Sequence, residues 1–395
     1  MSLTTRVPAG AWILGATAIA GGLGYLLQIF AGIALPAREY EAFGVAWALL
    51  YFVVGALAGV QQEVARVAAP RSAAASTPGT RLGLLTAVVA AIGALVVSVC
   101  SALGGSDAAV GAAMAAGAAG YAVLAVVTGL LYGARAWPAI AATMVVDALL
   151  RAVTAGIALA VGAPLWVVLA GVALPFVATA ALGALLLRAQ EPIEVAVPTR
   201  ALARTTLKTL VGSASTAVLV SGFPFVLGLF AHDVDAAELG AFLFAFTLSR
   251  APLVIVFLSL QTFLVTHFKD GDTGRIRSVV LAVLGLATAA AIAAGLAGPW
   301  LLETFVGADY VLGGPLLAAI VASAIPMALL CITGPLVLAE GRHDAFATGW
   351  VVAAVVSIAL LLLPLPFVVR SVIAIAVGPI VGAALQLLLR RRSGG

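Results

Sequence analysis

Residues 279–298 read VVLAVLGLATAAAIAAGLAG, which is twenty residues without one charged side chain. A helix of that length crosses the hydrocarbon core of a bilayer, about 30 Å thick. The whole 395-residue chain has the same character, with 64% hydrophobic and 9% charged residues, against about 25% charged in an ordinary soluble domain. So few charges cannot cover a soluble globule of this size, and the sequence therefore predicts a polytopic membrane protein.

Apolar runs of similar length recur along the chain, separated by turn residues or charged clusters. Alternating ten-residue strands are missing, which excludes a membrane β-barrel. The predicted fold is an all-α membrane protein of about twelve transmembrane helices, with little sequence left for an extramembrane domain. The predicted helices cover 9–35, 43–66, 82–103, 109–132, 139–161, 165–187, 209–231, 241–267, 279–298, 314–338, 346–363 and 371–389.

The basic residues predict the orientation, because Lys and Arg concentrate in cytoplasmic loops. With the N-terminus inside, 16 of the 20 fall on the inner side, and Arg38 and Arg370 fall outside. Arg151 and Arg250 lie within helices. We therefore expect a multi-pass membrane protein with both termini cytoplasmic. The net charge of +4 reflects this topology and predicts no nucleic-acid partner.

The longest inner loop predicts two lobes of six helices each, residues 1–190 and 209–395, joined by a cytoplasmic loop at 191–208. A shift of 199 residues aligns the second helix with the eighth and predicts two pseudo-symmetric, parallel repeats. The identities at this shift are Glu39/Glu238, Ala42/Ala241, Phe43/Phe242, Ala46/Ala245, Leu49/Leu248 and Gln62/Gln261.

Ionisable residues at membrane depth are the candidates for function, because they are expensive there and normally face protein or a wet cavity. Asp147 and Arg151 are four residues apart on one helical face, which predicts a self-neutralising structural pair or a coupling site. Glu63 is expected to pair with Arg66 near the inner end of the second helix. Arg250 has no such partner in its own helix. We interpret it as an anion contact in a cavity wall, with a cross-helix structural bond as the alternative.

Helix breakers form a second group of candidates. Gly22 and Gly24 in the first helix, Gly222 and Pro224 in the seventh and Pro252 in the eighth are predicted hinge residues, with a static bend as the alternative. Small residues four apart, as in Gly55/Gly59, Gly129/Gly133 and Gly378/Gly382, predict close helix packing instead.

Signatures of soluble enzymes are missing from the sequence. No G-x-x-x-x-G-K-[ST] loop occurs, and His232, His267 and His343 are scattered without metal-ligand spacing. The sequence predicts no metal, no cofactor and no catalytic residue, and hence a protein that is not an enzyme.

Four stretches resemble the MOP superfamily of multidrug, oligosaccharidyl-lipid and polysaccharide exporters, and within it the bacterial polysaccharide or lipid-linked oligosaccharide flippases. They are Glu39–Gly44, Gln61–Arg66, Ser249–Gln261 and Phe305–Tyr310. The chain is shorter than most members and has fewer basic residues in its first helix than the lipid II flippases.

The resemblance implies a protein of the bacterial cytoplasmic (inner) membrane. It further implies export of a polyprenyl-diphosphate-linked oligosaccharide or related glycolipid, by alternating access, for cell-surface polysaccharide biosynthesis. Arg250 and Arg151 would neutralise the diphosphate, and Gln62 and Gln261 would donate or accept hydrogen bonds to the substrate. The expected partners are membrane lipid, the lipid-linked glycan, and a polysaccharide polymerase or glycosyltransferases. Two alternatives stay open: a cation-coupled small-molecule or drug antiporter of the same superfamily, and a membrane-embedded enzyme or non-transporting assembly factor.

Overall fold

The computed structural model describes residues 9–70, 79–103, 107–190, 193–195, 199–249 and 273–391. Nearly all of these residues are helical. The helices are α1 Ala9–Ala34, α2 Ala37–Val67, α3 Gly79–Leu103, α4 Ala108–Gly133, α5 Trp137–Ala160, α6 Leu165–Ala173, α7 Pro175–Arg188, α8 Thr199–Ala217, α9 Phe223–Leu229, α10 Ala236–Ser249, α11 Thr273–Phe305, α12 Gly314–Ala322, α13 Ala324–Ala339, α14 His343–Leu360 and α15 Phe367–Arg391.

These helices form twelve apolar spans, which confirms the predicted fold class. Ten are long and apolar enough to cross a membrane, and the apolar helices Thr86–Ala102 and Ala236–Ser249 are shorter in the described residues. Three spans are broken helices: α6 with α7, α12 with α13, and α8 with α9. The predicted boundaries between spans at Gly162 and at Pro364–Pro366 are also correct.

The predicted inner loop at 191–208 is wrong in its second half, because α8 already begins at Thr199. Its first turns carry Arg200, Arg204 and Lys208, and these charges hid a stretch of good helix formers from a prediction based on apolarity. A short antiparallel ribbon, which was not expected, joins β1 (Ala68–Pro70) to β2 (Ile193–Val195).

Contacts divide the chain into two compact units. The first unit comprises residues 1–34 and 49–214, and the second comprises residues 35–48 and 215–395. The first twelve residues of α2 therefore pack with the second unit and the rest of α2 with the first. The predicted lobe boundaries at 190 and 209 differ from this division, and they stay a prediction about lobes in the membrane.

Each unit repeats the same internal packing. In the first unit the third span packs on the fourth, and the fourth and fifth pack on the sixth. In the second unit the ninth packs on the tenth, and the tenth and eleventh pack on the twelfth. The predicted shift of 199 also fits the helix starts, at Ala37 for α2 and Ala236 for α10.

Within the second unit the first turns of α2 and α10 touch at equivalent positions. A Cβ on Gly240 would lie 1.8 Å from the carbonyl oxygen of Ala37 and 3.1 Å from the amide nitrogen of Glu41. Glu41 is the residue that the shift pairs with Gly240, so the contact joins matching positions of the repeat. Only glycine permits backbones to approach this closely.

Glycines also confirm the predicted close packing elsewhere. A Cβ on Gly59 would lie 2.7 Å from the carbonyl oxygen of Thr209, and one on Gly129 would lie 2.8 Å from that of Gln61. Gly378 and Gly382 likewise lie against α14, and Gly133 lies against Ala68 of β1, at distances that a side chain would not allow.

Loops predicted on the outer membrane face meet within the second unit. On the predicted outer face, Arg38 contacts Asp235 at 2.9 Å, Arg370 contacts Asp233, and the Tyr310 hydroxyl donates to the carbonyl of Leu35 at 2.8 Å. Burial, followed by the carboxylates of Asp309 and Glu39, raises the pKa of Tyr310 above its ordinary value, so that hydroxyl keeps its proton. This grouping of the loops agrees with an alternation of spans, while the orientation itself stays a prediction.

Candidate functional site

The centre of the first unit contains a buried ion pair on α5. One turn of helix places Asp147 and Arg151 on the same face, as the spacing predicted, and the Arg151 guanidinium donates to Asp147 Oδ2. The side chains are 4% and 17% exposed for Arg151 and Asp147. The two opposite charges cancel in a region where either alone would be costly.

Aromatic rings enclose the guanidinium. The Arg151 Cζ lies 4.1 Å from the ring centroid of Phe176 on α7 and 5.5 Å from that of Tyr51 on α2. Tyr121 on α4 packs edge-on against Phe176 with centroids 4.9 Å apart. A cation over aromatic faces is stabilised by the ring quadrupole, so the box restrains the guanidinium as well as shielding it.

The break in the sixth span explains a further contact of Arg151. Pro175 has no N–H, so the Gly171 carbonyl four residues earlier loses its helical donor, and the span divides into α6 and α7. Arg151 Nη1 donates to the Val172 carbonyl at 3.1 Å, and the Thr154 hydroxyl lies 2.7 Å from the Gly171 carbonyl. The polar face of α5 thus satisfies backbone groups at the break.

A second predicted pair lies at the C-terminal end of α2. Arg66 donates to both carboxylate oxygens of Glu63, at 2.6 and 2.9 Å. Glu63 is buried and also accepts a bond from the Thr205 hydroxyl on α8, while Arg66 is mostly exposed. The buried Glu63 carboxylate therefore links α2 to α8 through Thr205, in addition to pairing with Arg66 of its own helix.

The predicted hinges differ from one another. Gly22 and Gly24 lie in the unbroken helix α1 with no atom within 4 Å of an added Cβ. In the seventh span, residues Val218–Gly222 form a π-helical turn that leads into α9, where Pro224 occupies the first turn. Proline and an inserted π turn are two recognised causes of a helix irregularity. The breakers thus mark a real irregularity, and its role as a hinge stays a prediction.

The remaining predicted site residues are not brought together. Gln62 is exposed at the end of α2. Arg250, Pro252 and Gln261 lie outside the described residues. Their predicted roles, and the predicted substrate contact of Arg151, stay predictions. In the described part of the chain, no group of three or more His, Cys, Asp and Glu could hold a metal ion.

The sequence did not reveal the residues that complete the two pairs, which are Tyr51, Phe176 and Thr179 around Asp147–Arg151, and Thr205 at Glu63. Each lies on another span, so spacing along one helix could not reveal it. The one available indication was Pro175, since a proline in mid-span frees a carbonyl that some donor must satisfy.

No family model matches the chain. An uncharacterized protein of Mycobacterium tuberculosis strain H37Rv is 34% identical over 394 residues, covering 94% of this chain and 89% of that protein. An uncharacterized protein of Mycobacterium bovis is 32% identical over 396 residues, covering 96% of this chain and 91% of that protein.

Among solved structures, the inward-facing conformation of a multidrug resistance MATE family transporter of the MOP superfamily matches with a TM-score of 0.68 at 14% identity. That match covers 96% of this chain and 97% of the other. The lipid II flippase MurJ, in an inward closed conformation, matches with a TM-score of 0.69 at 11% identity, over 95% of this chain and 86% of the other. A MOP superfamily transporter from Pyrococcus furiosus matches with a TM-score of 0.60 at 14% identity, over 97% of this chain and 95% of the other.

At these identities the structural matches establish the fold, and the mycobacterial matches establish the family. The predicted resemblance is thereby confirmed at the level of the superfamily fold. The chain belongs to the family of these mycobacterial proteins, and its fold is that of the MOP superfamily.

Proposed function

We propose that this chain is a transporter of the bacterial cytoplasmic membrane that exports a polyprenyl-diphosphate-linked oligosaccharide, or a related glycolipid, by alternating access. Twelve apolar spans and the fold shared with MOP-superfamily transporters support a transporter. The product would serve assembly of a cell-surface polysaccharide. No covalent chemistry is part of the proposal.

One observation carries the choice of substrate class: the carboxylates of Asp147 and Glu63, 17% and 3% exposed, are each neutralised by an arginine of their own helix. A transporter that exchanges a cationic drug for a proton or sodium ion needs a carboxylate that can release one cation and accept the other. A carboxylate already bonded to a guanidinium is poorly suited to that exchange. An anionic lipid-linked substrate makes no such demand.

Arg250 is the residue that we assign to the diphosphate. A guanidinium presents two parallel N–H donors, which match a phosphate better than the single point of a lysine ammonium. Its place in the eighth span and its lack of a partner four residues away in its own helix support this assignment.

The second candidate is a cation-coupled drug antiporter, which the fold favours equally. TM-scores of 0.68 to the MATE transporter and 0.69 to the lipid II flippase do not separate the two functions. The ion pairs Asp147–Arg151 and Glu63–Arg66 argue against the antiporter, because they occupy the carboxylates that it would need.

The deciding experiment uses purified protein in proteoliposomes and two probes. The first is a short-chain polyprenyl diphosphate carrying a fluorescent saccharide, whose transfer is followed by loss of accessibility to a membrane-impermeant quencher. The second is ethidium, followed under an imposed pH or sodium gradient. We expect transfer of the first probe and no gradient-dependent movement of the second; the reverse pattern would establish the antiporter.

Variants at Arg250 then test the assigned contact. Arg250→Ala should abolish transfer, and Arg250→Lys should retain part of it, because the charge remains while the bidentate geometry is lost. Arg277→Ala is the matched control, since Arg277 is exposed in the first turns of α11 and should leave transfer unchanged. Normal transfer by a well-folded Arg250→Ala protein would refute the diphosphate contact.

A further inference from the structure

The oxygen atoms around Asp147 have the chemistry of a cation site. The Asp147 carboxylate is 3.4 Å from the Thr179 hydroxyl, measured from Oδ1 to Oγ1. That hydroxyl also lies 2.7 Å from the Pro175 carbonyl oxygen. When the Thr179 hydroxyl donates its proton to the Pro175 carbonyl, the lone pairs of the Thr179 oxygen can face the Asp147 carboxylate. Carboxylate and hydroxyl oxygens are typical ligands of small hard cations.

The guanidinium of Arg151 already lies on this carboxylate. Its second nitrogen is bonded to the Val172 carbonyl at 3.1 Å, and the Phe176 and Tyr51 rings lie over its plane. Three contacts from three other helices, with Asp147 on its own helix as the fourth, thus keep the charge in place. The positive group therefore cannot leave as a free ion would.

Among the residues that the structure describes, the charge balance around Asp147 depends on Arg151. The titratable or charged groups that face it are Arg151 on its own helix, Tyr51 from α2 and Tyr121 from α4, while α6 and α7 contribute the Val172 carbonyl, Phe176 and Thr179. Both tyrosines are neutral at physiological pH. Without Arg151, a negative charge would remain in an apolar core, where an unpaired ion is strongly disfavoured.

We propose that Arg151 is a tethered cation that permanently fills a site for a small monovalent cation formed by Asp147 and Thr179. The consequence is that no exchangeable sodium ion or proton binds to the Asp147 carboxylate of the natural chain. The inference deepens the proposed function, because it assigns the energy source of export to something other than cation exchange at this carboxylate.

The experiment compares purified wild-type protein with Arg151→Met and with Asp147→Asn/Arg151→Met. Methionine removes the charge while retaining most of the length of the side chain. The melting temperature of each is measured while sodium chloride replaces choline chloride at constant ionic strength, and separately from pH 8 to pH 5.5. A bound cation raises the melting temperature in proportion to the logarithm of its concentration above its dissociation constant.

We expect Arg151→Met to be less stable than wild type at pH 8 without sodium and to gain melting temperature with sodium or with acid. The double variant, which lacks both charges, should lack this response. The wild type should lack it too. If the Arg151→Met protein can be recovered folded only when it is solubilised in sodium or in acid, that dependence also supports the proposal, because it shows stabilisation by a cation.

Two outcomes would overturn the proposal. The first is a wild-type response to sodium or acid as large as that of Arg151→Met, which would mean that the carboxylate exchanges cations with Arg151 present. The second is an Arg151→Met protein that responds to neither, or that is lost under every condition while the double variant folds, because no cation can then replace the guanidinium. Neither result depends on glycolipid transfer, so failure here and failure of the proposed function are separate findings.

Discussion

The fifth and eleventh spans occupy corresponding places in the two units, yet their interiors are unlike. Asp147 and Arg151 are the eleventh and fifteenth residues of α5, and Ala353 and Ser357 hold the same two positions in α14. The first unit therefore has an ion pair enclosed by aromatic rings where the second has small side chains.

In the second unit the small side chains at these positions allow α14 and α15 to approach closely. A Cβ on Gly378 of α15 would lie 1.9 Å from Ser357 Oγ and 2.7 Å from the Ala353 carbonyl oxygen. The polar groups near the C-terminal end of α15 are neutral. Thr333 of α13 donates to Gln386 Oε1 at 2.5 Å, and Gln386 donates to the Phe346 carbonyl of α14 at 3.3 Å.

This comparison shows that the repeat specifies which helices pack together and does not specify what joins them. In the first unit, electrostatics and cation–π contacts hold α5 to its neighbours. In the second, backbone proximity and dispersion hold α14 to α15, which is the usual cohesion of membrane helices. Substitutions at matching positions should therefore fail for different reasons.

The largest effect should follow from placing the charge of the first unit into the second. Ser357→Arg has no carboxylate one turn away, since that position is Ala353, and the neighbouring Gly378 leaves no room. Overpacking alone costs about 1–3 kcal/mol, and an uncompensated buried charge adds about 3–5 kcal/mol. We expect no folded monomer in size-exclusion chromatography. Ser357→Ala is the control and should fold, and a folded Ser357→Arg protein would contradict the comparison.

Breaking the ion pair in the first unit should have the next largest effect. Asp147→Ala leaves the Arg151 guanidinium buried with a carbonyl and aromatic rings as its remaining contacts, which should cost about 3–5 kcal/mol of unfolding free energy. A thermal melt in detergent measures the loss. Asp344→Ala, at an exposed carboxylate in the first turn of α14, should cost under about 1 kcal/mol. Equal losses from the two variants would show that the buried pair contributes nothing special.

A smaller effect should come from filling the small-residue contact. Gly378→Ala forces α14 and α15 apart at Ser357 and should cost about 1–3 kcal/mol, in the range of overpacked cores. Gly285→Ala is the matched control, because a Cβ at Gly285 in α11 meets nothing within 4 Å. A thermal melt that shows no loss for Gly378→Ala would indicate that the two helices separate freely.

The fold was predictable from sequence because membrane spans need only length and apolarity, which residues such as 279–298 display locally. The pairs Asp147–Arg151 and Glu63–Arg66 were predictable as well, since residues three or four apart in a helix are neighbours. The break near Gly222 and Pro224 followed from proline chemistry.

The rest depended on contacts across the fold. Thr205 meets Glu63 from 142 residues away, and Tyr51 and Phe176 reach Arg151 from other spans. Helix α8 was missed at its start, because Arg200, Arg204 and Lys208 made helical turns resemble a loop. No periodicity along one helix contains such information.

The smallest effect should be found on the predicted outer face, where Arg38 and Arg370 pair with neighbouring aspartates in different surroundings. The Arg38 side chain is 71% exposed and pairs with Asp235, whereas Arg370 is 13% exposed and, besides pairing with Asp233, donates to the Phe230 carbonyl at 2.7 Å. Exposed pairs contribute about 0–1 kcal/mol because water and salt screen them. Arg38→Gln should therefore leave the thermal melt almost unchanged, with any loss disappearing at high salt. Arg370→Gln should cost more, about 1–3 kcal/mol, since it leaves a partly buried carbonyl without its donor. If Arg38→Gln destabilises the protein as much as Arg370→Gln does, the charge itself and not its burial holds this face together, and the contrast between screened and enclosed pairs would have to be abandoned.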